Sequence, residues 1–330
     1  MKENLKVSVC MITYGHEKYI REAIEGILMQ ECDFEVELIL ANDCSPDSTD
    51  KVIQNILENH PKRSWIKYFN HKENLGMMPN FIFALGQCSG NYVAMCEGDD
   101  YWITKDKLQK QVDILEENKK VGLVYTNVKY FIQNKEQFVD IPARFAAEQS
   151  EVIPMMLKSK FIEFATTVFR KAILDKVLTI LEKELENKVI GDTRILLETL
   201  HNSSLYFLNE TTTVYRIIDG SASHPIDLEK FVFALLDSYH CRKEFVKRNN
   251  FNKTWLSDSI CNTNRGLINR AFVSQSYSDV YKLMKNLLIL DTFQYCTWGI
   301  FKRKMNFAIL LKFILSCFGI GIIRQKLNGC

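Results

Sequence analysis

Glu97, Asp99 and Asp100 place three carboxylates within four positions, directly after the apolar run Tyr92-Val93-Ala94-Met95-Cys96. An apolar run that stops abruptly at clustered acids reads as a buried strand carrying negative charge to the carboxyl edge of a sheet, where open α/β sheets hold their ligands. Crowded carboxylates repel one another and resist ionisation unless a cation joins them. Mg2+ or Mn2+ meets that need, taking one or two carboxylates and completing its shell with water and substrate phosphate oxygens. The competing reading is a solvated acidic turn that caps a helix starting near Asp106. The strand before the cluster and the aromatic pair Tyr101-Trp102 after it favour the metal.

Three other loops carry polar groups of the same kind. They are Thr13-Tyr14-Gly15-His16-Glu17, Asn42 to Thr49 around Asp43, and Asn74-Leu75-Gly76. The elements between them alternate in period. Val7–Ile12, Val36–Ala41, Ile66–Phe69 and Tyr92–Cys96 read as short buried strands. Ile20, Ala23, Ile24, Ile27 and Leu28 share a helical face, as do Val52, Ile53, Ile56 and Leu57 behind a cap at Asp47 or Ser48. Pro79 suits the first turn of a helix carrying Phe81, Ile82 and Leu85, and Leu108–Leu115 is helical again. Four strand–helix alternations imply right-handed crossovers and a mostly parallel sheet flanked by helices. The loops then face one crevice.

Composition narrows the class. A formal charge of +2 over 330 residues gives no field directed at nucleic acid. Ten cysteines without a Cys-x-x-Cys pair argue against a zinc site or a disulfide scaffold. Residues 1–20 lack a secretory signal, so a cytoplasmic enzyme with reduced thiols is expected. Neither a P-loop nor a Gly-x-Gly-x-x-Gly fingerprint occurs. A nucleotide bound by this sheet would be held through carboxylates and a metal, not a glycine cradle.

The stretches Val7–Tyr14, Asn42-Asp43-x-Ser45-x-Asp47-x-Thr49, Asn74-x-Gly76 and Glu97-x-Asp99-Asp100-Tyr101-Trp102 together resemble the family-two, inverting glycosyltransferases of the GT-A fold, over roughly residues 5–220. The resemblance implies a nucleotide-sugar donor, usually a uridine diphosphate sugar, and a Mn2+ or Mg2+ ion that bridges the diphosphate to the acidic motif. It places Asp43 on the nucleobase, Thr13 and Tyr14 around the base pocket, Glu97 toward the ribose or sugar, and Asp99 or Asp100 on the metal. Glu97, Asn42 and Gly15 depart from the residues usual in relatives, which leaves open which acid ligates directly.

An inverting transfer also needs a base for the acceptor hydroxyl. Gly191-Asp192 precedes Ile195, Leu196 and Leu197, so Asp192 opens a helix, where the family often carries its base. A plain N-cap is the alternative. Glu163, on a predicted strand Glu163–Phe169, is the reserve and otherwise a polar position beside the acceptor. Arg216 can pair a phosphate bidentately, and His224 can complete the metal shell or touch phosphate. A surface strand and turn is the plainer reading of that segment. Tyr101 and Trp102 either stack on a sugar or pack under the loop. The remaining histidines, His16 among them, read as ordinary surface or core residues. The Gln-x-x-Arg-Trp motif of chain-building relatives is absent, which favours transfer of one sugar per encounter.

The expected organisation is a catalytic domain over residues 1–225 and a helical region over 226–330. Phe231, Leu235 and Leu236, then Leu283, Leu287 and Leu288, fall at helical spacing. Met305–Ile323 is apolar between cationic flanks, with Lys312 inside. The segment 302–326 therefore suits an in-plane interfacial helix better than a span, and a buried docking helix equally well. The resulting expectation is an enzyme moving sugar to a saccharide or lipid-linked acceptor for surface polysaccharide, peripheral on the inner face of the cell membrane. Homo-oligomerisation stays open. A nucleotidyltransferase that builds nucleotide sugars is the runner-up, and it would need a Gly- and Arg/Lys-rich first loop that Thr13–Lys18 does not supply. A sugar-nucleotide-binding protein without catalysis is the third reading.

Overall fold

Val7, Val9 and Met11 on one face, and Ser8 and Cys10 on the other, are all buried in Lys6–Thr13. A strand covered on both sides is what a parallel sheet between helical layers requires. The computed structural model describes residues 5–139, 149–159, 162–185 and 191–256, with Ser259 and Thr263. After β1 (Lys6–Thr13) come α1 (Ile20–Leu28), β2 (Glu35–Asn42), α2 (Thr49–Asn59), β3 (Ile66–Asn70), α3 (Met77–Gln87), β4 (Tyr92–Met95) and the two-residue β5 (Tyr101–Trp102). Next are α4 (Lys107–Glu117), β6 (Val121–Ile132), β7 (Gln137–Val139), α5 (Gln149–Lys158) and β8 (Val168–Arg170). Then α6 (Lys171–Leu185), α7 (Asp192–Asn202), β9 (Ser204–Ile217) and α8 (Leu228–Arg248) follow.

Among the described residues the strands form one sheet in the order β3-β2-β1-β4-β8-β6-β9-β5, with β7 paired to β6. β3, β2, β1 and β4 are parallel neighbours, as the alternating sequence periods imply. β8 runs antiparallel between β4 and β6, β9 lies parallel to β6, and β5 pairs antiparallel with β9. Ile20, Ile24 and Ile27 of α1, Leu38 and Leu40 of β2, and Val112 and Leu115 of α4 join β1 and β4 in one buried cluster.

The predicted strand Glu163–Phe169 is only partly a strand. A 3-10 turn occupies Phe164–Thr166, and β8 begins at Val168. Thr166 sends both its N–H and its hydroxyl to the Glu163 carbonyl, and Thr167 does the same to Phe164. Such local bonds offer the backbone an alternative to a ladder. At α2 the cap is Asp47, whose Oδ1 accepts the Thr49 N–H at 3.0 Å, while Ser48 makes no side-chain cap.

Two compact units divide the chain. The first comprises Met1–Met156 and Lys160–His224, the second Leu157–Ser159 and Pro225–Cys330. Phe231, Leu235 and Leu236 lie on α8 as their spacing suggests. The apolar segment Met305–Ile323, its cationic flanks, and Leu283, Leu287 and Leu288 lie outside the described residues. Among the described residues no helix is long and apolar enough to cross a membrane.

Candidate active site at the carboxyl edge of the sheet

Because β1, β2, β3 and β4 are parallel, the loops leaving them emerge at one edge, and backbone bonds tie these loops together. Asp43 N–H donates to Thr13 O at 3.0 Å, and Gly98 N–H donates to Ile12 O at 3.0 Å. The first two loops are further stapled by Gly15 N–H to Ser45 Oγ, His16 N–H to Thr49 Oγ1, Glu17 N–H to Asp47 Oδ2 and Ser48 N–H to Glu17 Oε2. Asn42 Oδ1 accepts both the N–H and the hydroxyl of Ser45, so this residue shapes the loop that holds Gly15. Gly98 is needed for close approach. A Cβ there would lie 2.8 Å from Thr13 Oγ1 and 3.0 Å from His16 Nδ1.

The loops enclose a cavity of about 490 Å3. Thr13, Tyr14, Asp43, Glu97, Asp99, Asp100 and Asp192 all line it. So do Glu163 and Phe164 from the 3-10 turn, Met77, Met78 and Phe81 at the start of α3, and Tyr215 with Gly220–Ser223 at the end of β9. Six of the lining side chains are carboxylates and none is lysine or arginine. Arg216 and His224 are not on this wall.

Each acid is held differently. Asp43 is only 2% exposed, and its two oxygens accept the N–H groups of Leu75 at 2.7 Å and Gly76 at 2.9 Å. It therefore locks the β3–α3 loop while lining the cavity. Gly76 adopts φ +91°, a left-handed conformation that favours glycine. Asp100 is also 2% exposed, with Oδ1 accepting the Arg216 N–H at 2.8 Å. Burial pushes its carboxyl well above the usual range, and the charges of Asp99 and Glu97 push the same way against the Arg216 N–H. Asp99 is more open, with Oδ2 at 4.0 Å from His16 Nε2. His16 Nδ1 and Thr13 Oγ1 share a hydrogen bond of 3.1 Å.

Arg216 is buried and its guanidinium serves the acidic loop. It donates to Asp99 O at 2.6 Å, pairs with Glu22 of α1, and stacks 4.3 Å from the Tyr101 ring centre. His224 sits beside Tyr215, with ring centroids 6.2 Å apart, and its N–H donates to Ser221. Gly191, not Asp192, occupies the N-cap of α7. Asp192 is the first helical residue, and its Oδ1 accepts the Thr193 N–H. Trp102 packs under the loop, 1% exposed, and its Nε1 donates to Ala165 O at 3.0 Å.

The donor set suits a hard divalent cation, since it consists of carboxylate oxygens whose mutual repulsion such an ion relieves. Among the described residues no three His, Cys, Asp or Glu groups converge as a closed metal cage, so Asp99, Asp100 and His224 are not gathered round one point. That arrangement fits an ion bound by one or two carboxylates with water and phosphate oxygens supplying the rest.

A parallel half-sheet with an acid-lined crevice at its carboxyl edge defines the class, a GT-A type nucleotide-diphosphate-sugar transferase fold. The chain belongs to glycosyl transferase family 2, whose pattern matches residues 8–178, just over half of its length. It is 30% identical over 165 residues to an uncharacterised protein of Mycobacterium bovis, covering 50% of this chain and 47% of that one. An uncharacterised glycosyltransferase of Methanocaldococcus jannaschii is 31% identical over 170 residues, covering 48% of this chain and 57% of that protein. TuaG of Bacillus subtilis, a glycosyltransferase named for teichuronic acid biosynthesis, is 26% identical over 222 residues, covering 66% of this chain and 81% of that protein. The chain spans about half the length of the mycobacterial relative. A mannosyltransferase of Pyrobaculum calidifontis, solved with GDP-Man and Mn2+, shares the fold with a TM-score of 0.53 at 14% identity, covering 94% of this chain and 86% of that one.

His16, expected to be an ordinary surface or core residue, is a cavity residue. Its position three residues beyond Thr13 on a strand-end loop was the available signal.

Proposed function

We propose that the chain is a metal-dependent inverting glycosyltransferase. It moves one sugar from a nucleoside-diphosphate donor, most simply a uridine diphosphate sugar, to a hydroxyl of a saccharide or lipid-linked acceptor. The reading carries with it a role in surface polysaccharide synthesis at the inner face of the membrane, with catalysis in residues 1–225. The observation that carries it is the cavity lining of six carboxylates without lysine or arginine. A diphosphate entering alone would meet only like charge, which costs several kcal/mol. A divalent cation resolves the conflict. The same lining disfavours the nucleotidyltransferase reading, because a triphosphate needs cationic side chains that the first loop does not present.

In this reading Asp99, with Asp100 beside it, holds Mn2+ or Mg2+, which when bound supplies charge stabilisation to the leaving diphosphate. Asp43, Thr13 and Tyr14 bind the nucleobase side of the donor, and Glu97 its ribose or sugar. Arg216 fixes the loop that presents Asp99. Asp192 takes the proton from the acceptor hydroxyl as the new bond forms.

The test is turnover of a nucleotide-sugar panel with Mn2+, Mg2+ or EDTA. Metal-dependent release of nucleoside diphosphate from one donor supports the reading. Metal-dependent binding without turnover would instead make the chain a sugar-nucleotide-binding protein, and undiminished turnover in EDTA would remove the metal.

A further inference from the structure

Glu163 lines the same cavity as Asp192, from a turn fixed far more firmly than a surface loop requires. Each carbonyl of that turn is capped by a side chain. Glu163 O accepts the Thr166 hydroxyl at 2.7 Å, Phe164 O the Thr167 hydroxyl at 2.6 Å, and Ala165 O the Trp102 Nε1 at 3.0 Å. Thr166 O accepts Lys107 Nζ at 3.2 Å and Gln111 Nε2 at 3.0 Å. Lys107 is fully buried, and burial lowers its ammonium to about 7. These caps hold the backbone, and the Glu163 carboxylate is oriented separately. Its Oε1 accepts the Tyr130 hydroxyl at 3.0 Å, and the Tyr130 ring meets Tyr215, another cavity residue, edge-on at 5.8 Å. Preorganised side chains backed by a supporting network are the mark of a recognition position.

We infer that Glu163 selects the acceptor: its carboxylate takes hydrogen bonds from hydroxyls of an uncharged sugar and rejects sugars that carry a carboxylate of their own. This rests on the glycosyltransferase reading. An ionised carboxylate only accepts hydrogen bonds, and sugar hydroxyls are donors that can meet it. Phe164, on the same wall but packed against Phe81 and Phe169, adds an apolar edge beside the carboxylate. An acceptor carboxylate placed where the hydroxyls bind would face Glu163 directly, with Asp192 on the same wall, and that local like-charge repulsion disfavours it. Tyr130 is a positioning residue that acts through Glu163.

The experiment uses the full-length protein, Mn2+, the nucleotide sugar it hydrolyses fastest, and matched p-nitrophenyl hexosides and hexuronides as acceptors. The parent should prefer hexosides by at least about ten-fold in kcat/KM. Glu163→Gln should raise the hexoside KM about ten-fold, as loss of a charged hydrogen bond does. It should also shrink the hexoside preference by a similar factor, read as the ratio of hexoside to hexuronide kcat/KM within the variant. Tyr130→Phe should raise KM but keep the preference, because the carboxylate remains. An unchanged KM and preference in Glu163→Gln overturns the inference. So does a parent that hydrolyses donor but uses no hexoside, or a Glu163→Gln protein that loses donor hydrolysis and melting temperature together. A parent that hydrolyses no nucleotide sugar fails the glycosyltransferase reading itself.

Discussion

Arg216 and Asp100, 116 positions apart, are joined where the Arg216 N–H donates to Asp100 Oδ1 at 2.8 Å. The same arginine donates from its guanidinium to the carbonyl of Asp99. One residue of β9 thus fixes both the buried acid and the backbone of the open one. The backbone contact satisfies a carboxyl that burial would otherwise leave without compensation. The side-chain contacts with Glu22 and Tyr101 anchor the loop to α1 and β5.

Arg216→Ala is therefore expected to loosen the acidic loop without touching a substrate-binding side chain. Donor turnover should fall about 10–100-fold, the usual consequence of losing an outer support of a metal ligand. Arg216→Lys should not restore it, because an ammonium cannot reproduce the planar stacking on Tyr101 together with two directed donors. Steady-state donor hydrolysis measures this, and full activity in the alanine variant would show that the loop holds its shape unaided.

Asp99 and Asp100 should separate on replacement. Asp99→Asn removes the more open carboxylate and should abolish Mn2+-dependent donor turnover with the melting temperature preserved. Asp100→Asn keeps an oxygen for the Arg216 N–H and removes a carboxyl that burial already disfavours as an anion, so stability should hold or rise. Its turnover should still fall, because a bound cation needs neighbouring negative charge. Manganese titration of activity alongside thermal melts tests both, and an Asp99→Asn enzyme with parental Mn2+ dependence refutes the assignment.

The parallel half of the sheet was legible because its strands are short, mainly apolar runs ended by polar loops, as at Tyr92–Met95 before Glu97. The acids were legible for the same reason, since a carboxylate directly after a buried strand has little to do except face the crevice. Glu163–Phe169 was misread as one strand because its apolar and β-branched residues fit a strand equally well. The bonds of Thr166 and Thr167 to carbonyls three residues earlier decide otherwise, and sequence periodicity does not register them. Arg216 suggested phosphate binding by residue type alone, whereas its partners Glu22, Tyr101 and the Asp99 carbonyl come from α1, β5 and the loop between β4 and β5, which only the folded chain assembles. The two oxygens of Asp43 on the Leu75 and Gly76 amides are long-range in the same way.

Asp192 is tested by a substitution that preserves shape. Because Gly191 holds the N-cap position, Asp192→Asn should cost little stability. Loss of a general base should lower acceptor-dependent turnover about 10²–10⁴-fold while the affinity for nucleoside diphosphate stays near parental. Calorimetry with uridine diphosphate and a transfer assay give the two readings. Turnover within a few-fold of parent would hand the proton-accepting role to another cavity acid.

Glu37 supplies a pH dependence remote from the cavity. It is buried on β2, where burial alone would raise its carboxyl, but hydrogen bonds from Lys6, Lys67, Ser8 and the Ser89 N–H together hold it well below the usual carboxylate range. These partners tie β1, β3 and the α3–β4 turn to β2. Since the folded value lies below the unfolded one of about 4.3, the stabilisation is fully present above that pH and is lost as pH falls toward the folded value. Glu37→Gln should thus cost about 1.5–3 kcal/mol at pH 7, the worth of hydrogen bonds to a charged group. The gap between parent and variant should narrow steadily below pH 4. Urea unfolding at pH 7 and across the acid range measures it, and a gap that stays constant down to pH 3 would show that Glu37 is not the titrating group.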